Sequence, residues 1–117
     1  MNIIVEKSKS FALNIVNVYK RLCKDQNACI LFTQLLRSGT NVGANIKEAV
    51  REQSKTEFYA KLFIALKEAS ETEYWLELLY ESGYLQKSDF IGIYADCQEL
   101  LKILIAIAKH KNQRIIR

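Results

Sequence analysis

The sequence predicts an all-α fold, an antiparallel up-down-up-down bundle of four helices. Three observations carry that prediction. The 117 residues include no proline and only four glycines, so little interrupts a helix. Half of the residues are apolar, ample for a single core. Apolar residues also recur at helical spacing along four stretches separated by short polar breaks. This length suits one domain spanning 1–117.

The first helix is expected over about residues 3–24. Ile4, Phe11, Ile15, Val18 and Leu22 recur at spacings of seven, four, three and four, which places them on one face. Asp25-Gln26-Asn27 ends it. The second helix is expected over about 28–52, with Leu35, Val42, Ile46 and Val50 facing the core. Gly39 and Gly43 lie among them and let another helix approach closely, at some cost in helix propensity. Ser54 then opens a capping box with Glu57, and this argues against fusing the second and third helices into one. The third helix is expected over about 55–82, with Phe58, Leu62, Ala65, Ala69, Thr72, Leu76 and Leu79 on its core face. Gly83 suits the position just past its end, where a left-handed backbone costs glycine little. Ser88 is the expected N-cap of the fourth helix, over about 88–111. Its core face would hold Phe90, Tyr94, Cys97, Leu101, Leu104, Ile105 and Ala108, and the tail KHKNQRIIR is expected to fray. Short connections between such helices favour antiparallel neighbours.

Two helices carry more apolar surface than one core stripe needs. On the third, Phe63, Tyr74 and Leu78 fall opposite the stripe centred near Ala65. On the fourth, Ile93, Leu100, Ile103 and Ile107 form a second stripe beside Leu101. A helix apolar on several sides is buried on several sides, so a homo-oligomer is expected.

Charge is unevenly distributed. Residues 1–53 hold eight basic and four acidic side chains, residues 54–86 three and six, and residues 87–117 six and three, for a net charge of +4. On the second helix Arg37, Lys47 and Arg51 align with Thr40 and Ala44, and the tail adds Lys109, Lys111 and Arg114. These cations are the candidate nucleic-acid-binding residues, because lysine and arginine neutralise phosphates and release counterions. A merely solvated face, or pairing of the basic helices with the acidic one, explains the same pattern. Asn45 and Glu48 lie on a neighbouring stripe and are candidates for contacts between subunits.

Several chemistries are excluded or disfavoured. The single histidine, His110, has no glutamate three residues before it, so the di-iron pattern is absent and no metal or cofactor is expected. No Ser/His/Asp set can be built around it, and GTNVG lacks the lysine and spacing of a phosphate loop. Glu68, Glu71 and Glu73 point in different directions around the third helix, so an enzyme is not expected. Cys23, Cys29 and Cys97 are odd in number and lack CxxC spacing, so free thiols are expected rather than a disulfide or a zinc site. No apolar run is long enough to span a membrane, and no signal-peptide pattern opens the chain. A cytoplasmic protein is the expectation.

The chain resembles the bacterial four-helix-bundle proteins encoded in intervening sequences of 23S ribosomal RNA genes. The resemblance is carried by Gln34, Leu35, Arg37 and Ser38, then Asn45-Ile46-Lys47-Glu48-Ala49. It continues through Glu57-Phe58, Leu62, Ala65, the run Glu68-Ala69-Ser70-Glu71-Thr72-Glu73-Tyr74-Trp75-Leu76, and Gly83-Tyr84-Leu85. It covers roughly residues 10–112. Ala49 departs from it, since many relatives carry glycine there. The family is similar in turn to the accessory variability determinant of diversity-generating retroelements. The resemblance implies a homopentamer, a nucleic-acid-binding or scaffold role, and, in the retroelement branch, a reverse transcriptase partner. Three functions therefore compete: an oligomer that binds RNA or DNA, a protein-only adaptor, and a metal-dependent nuclease acting through Glu71 or Glu48.

Overall fold

In the computed structural model, which describes residues 2–116 and the side-chain surroundings of residues 3–111, four helices follow one another. They are α1 (Asn2–Leu22), α2 (Gln26–Ala49), α3 (Lys55–Glu81) and α4 (Lys87–Ile116), with no strand among the described residues. The fold is all-helical. Each helix packs on its neighbour in the chain, and α4 returns to α1. Arg37 meets Glu68 and Glu71 while Glu48 meets Lys61. Tyr80 stacks on Phe90 while Gln98 meets Glu73, and Arg21 meets Asp89 while Lys7 meets Glu99.

The breaks between helices have local causes. Asp25 caps α2 by accepting from the Ala28 N–H at 2.8 Å, so the helix starts at Gln26, two residues earlier than expected. Ser54 caps α3 by accepting from the Glu57 N–H at 3.1 Å. Gly83 has φ +88° and closes α3. The Gly83 N–H donates to the Tyr80 carbonyl and the Tyr84 N–H to the Leu79 carbonyl, the paired bonds that satisfy the last turn of a helix.

Four sequence expectations are corrected at these ends. α2 stops at Ala49, so Val50 follows the helix and is exposed rather than in the core. α4 begins at Lys87, because the Gln86 carbonyl accepts from Asp89 and Phe90, and Ser88 lies inside the first turn. Its helix continues to Ile116 through the tail expected to fray. Cys23 and Cys29 are joined in a disulfide. Spacing in sequence gave no sign of it, but the tight α1–α2 turn brings their Cα atoms to 4.8 Å, within bonding range. Cys97 is a buried free thiol, as expected.

The core takes one stripe from each helix. All the expected α3 positions from Leu62 to Leu79 are buried, as are Ile4, Phe11, Ile15 and Val18 of α1. Phe32 and Ala28 extend the α2 stripe toward its start, and Tyr59 joins from α3. On α4 the stripe is rotated. Ile93 and Leu100, expected on an outer face between subunits, are buried in the core, whereas Ile105, expected inside, is exposed. The reason is placement: α4 packs on both α1 and α3, so its buried arc is wide and centred between those neighbours.

Candidate nucleic-acid interface

The structure separates five of the six candidate cations into three groups. Lys47 and Arg51 are exposed, one in the last turn of α2 and the other in the turn that follows. Lys109 is exposed near the end of α4. These three lie toward one end of the molecule. The link is Lys111, whose ammonium sits 5.5 Å from the ring centre of Tyr59 and 5.1 Å from that of Phe63, beside the start of α3. Lys111 is therefore half-buried and held by ring faces, a cation–π contact that competes with phosphate binding. Arg114 lies outside the residues whose side chains are described.

Arg37 belongs elsewhere. Its guanidinium reaches Glu71 and lies 3.4 Å from Glu68, and its Nε donates to Gln34. Glu71 also accepts from the Trp75 indole N–H at 3.0 Å. Just inside this network the hydroxyls of Ser38 and Thr72 lie 2.9 Å apart, fully buried. Arg37 thus bridges α2 and α3, so a phosphate would have to compete with two carboxylates for it. The alternative weighed from charge balance, basic helix against acidic helix, holds at this position. Residues Gln34, Arg37, Ser38, Glu68, Glu71, Thr72 and Trp75, all in the motifs quoted above, converge on this one seam.

The remaining candidates spread over the surface. Asn45 donates to the Asn41 carbonyl of its own helix, and Glu48 accepts from Lys61 at 3.3 Å. Phe63 and Tyr74 are exposed, with Ile64 beside them on α3. Leu78, Ile103 and Ile107 are half-buried. Sequence reasoning missed the outward residues Ile3, Leu13, Ile30 and Ile91. The signal was present, since each lies off the core stripe of its helix.

Acidic groups dilute the basic end. The Glu52 carboxyl is held above the usual carboxylate range, first by a hydrogen bond with Glu57 and then by desolvation and the Glu57 charge. A groove of about 450 Å³ between α1 and α2 is lined by Glu6, Lys9 and Lys47 together with Val5, Ala12 and Gly43. The acids Glu68 and Glu71 face Arg37, while Glu73 accepts from Gln98 on α4. Among the described residues no group of three or more His, Cys, Asp or Glu side chains could hold a metal ion. No helix among them is long and apolar enough to cross a membrane.

No curated protein matches the chain. A crystal structure of a protein of unknown function from the S23 ribosomal protein family of Bacteroides thetaiotaomicron is similar to it. The two share 49% identity over 89% of this chain and 96% of that one, with a TM-score of 0.84. The family model described as 23S rRNA-intervening sequence protein matches residues 1–106. The chain belongs to the 23S rRNA-intervening sequence protein family.

Proposed function

We propose that this protein is a non-enzymatic, up-down-up-down helical bundle that assembles as a ring-like homo-oligomer and binds RNA or DNA through its basic end. The observation that carries the proposal is the grouping of exposed Lys47, Arg51 and Lys109 toward one end of the molecule. Repetition of that end around a ring multiplies weak phosphate contacts into useful avidity. The pentameric number comes from the resemblance described above, as does a reverse transcriptase partner. Exposed Phe63, Ile64 and Tyr74 on α3 support assembly, because they offer apolar surface that a subunit contact would bury.

The test is a titration of labelled RNA and of labelled DNA at several salt concentrations. Binding should weaken steeply with salt, and replacing Lys47, Arg51 and Lys109 with alanine should flatten the slope by about 3. No binding at low salt sinks the nucleic-acid reading.

One observation favours a second reading, a protein-only scaffold. Arg37 and Lys111 are already engaged within the chain, which leaves Lys47, Arg51 and Lys109 as the exposed candidates among the described residues. In that case nuclease-resistant capture of an acidic partner replaces any affinity for naked nucleic acid.

A further inference from the structure

The α1–α2 turn carries chemistry that the proposed function does not use. α1 ends at Leu22 and α2 begins at Gln26. Cys23 follows the first helix directly, and Cys29 lies in the first turns of the second. Their sulfurs are bonded, and their Cα atoms are 4.8 Å apart. Both residues are half-buried, so a small reagent has access, and Cys23 also packs against the core. The third cysteine differs in kind. Cys97 is fully buried on α4, lies 3.5 Å from the Ala69 carbonyl, and its thiol is pushed up to about 12, chiefly by burial.

We propose that Cys23 and Cys29 form a reversible thiol–disulfide site that clasps the start of α2 to the end of α1 and responds to small-molecule disulfides. The thiolate of one cysteine attacks a sulfur of an oxidised low-molecular-weight disulfide, forms a mixed disulfide and releases one small thiol. The other cysteine, deprotonated, attacks its neighbour's sulfur, closes the Cys23–Cys29 bond and releases the second small thiol. Two electrons pass from the protein to the small disulfide, and reduction reverses both steps. The closed bond limits the freedom of the chain around the turn when it opens. The effect is local, because the site lies at the opposite end of the molecule from Lys47, Arg51 and Lys109. It is also independent of whether that basic end binds nucleic acid.

The experiment uses the whole chain equilibrated with either dithiothreitol or oxidised glutathione. Thiols are alkylated and counted by intact mass, and backbone hydrogen exchange is followed in both states. Oxidation should leave one alkylatable thiol, Cys97, in the unfolded alkylated sample. It should slow exchange around residues 18–32 by roughly tenfold or more and leave residues 47–61 unchanged. Cys97→Ala should preserve the response, and the double change Cys23→Ser with Cys29→Ser should remove it while folding as the reduced protein does. Three alkylatable thiols after oxidation, or only mixed disulfides, overturn the proposal. A bond that forms with no change in exchange also overturns it, since the turn would then not be clasped.

Discussion

At the scale of single residues, the α2–α3 seam ties sequence motif to stability. Ser38 and Thr72 are buried, and each hydroxyl also reaches a carbonyl of its own helix, Gln34 and Glu68 respectively. Thr72→Val leaves the Ser38 hydroxyl one partner short and should cost about 1 kcal/mol in urea unfolding. Arg37→Ala should lower stability while leaving the salt dependence of any nucleic-acid binding unchanged, the reverse of Lys47→Ala. A salt slope that drops with Arg37→Ala would contradict its assignment as a bridge. The glycines divide by surroundings. A Cβ at Gly92 meets nothing within 4 Å, so Gly92→Ala should stabilise α4 by about 0.5–1 kcal/mol. At Gly39 the same atom would lie 3.1 Å from buried Ile15, so Gly39→Ala should show no such gain in the same unfolding assay. Tyr94 offers a pH test. Its hydroxyl is bound to Glu77, and that bond, with burial and the Glu77 charge, pushes its pKa up to about 12. The folded state therefore prefers the protonated phenol. The contribution is complete below pH about 10 and is lost as pH rises through about 12. The stability difference between the native chain and Tyr94→Phe should shrink across that window.

At the scale of elements, helix ends and helix contacts follow different physics. Ser54 caps α3 through the Glu57 N–H, so Ser54→Ala should cost about 1 kcal/mol by loss of one satisfied donor. The α1 and α2 faces meet where Gly43 comes within contact distance of the Ser8 backbone, an approach that a larger side chain would block. Across α3 and α4, Tyr80, Phe90 and Tyr94 stack in succession, with ring centres 4.2 and 4.7 Å apart. These contacts join the first turns of α4 to the end of α3.

At the scale of the whole molecule, the chain is a rod of 51 × 22 × 21 Å with unlike ends. One end gathers Lys47, Arg51 and Lys109, and the other carries the Cys23–Cys29 bond. The proposed assembly makes a prediction at this scale. Ile64→Glu with Tyr74→Glu changes two exposed side chains, so the fold should persist while the sedimenting mass falls. An unchanged mass would show that this face does not join subunits.

The sequence by itself determined the number of helices, their approximate limits and nearly all of the α1 and α3 core. Those features depend on periodicity and on local signals such as Ser54, Gly83 and the polar break at Asp25, which act within a few residues. Family membership was legible for the same reason, in the ordered motifs from Gln34 to Leu85. Only the tertiary structure decided which cations are free. Arg37 and Lys47 share a helix face, yet Arg37 lies opposite Glu68 and Glu71 of α3, and pairing across helices has no trace in the spacing of either one. The same holds for the wide buried arc of α4, set by two neighbours at once, and for the Cys23–Cys29 bond, set by how tightly one turn reverses the chain.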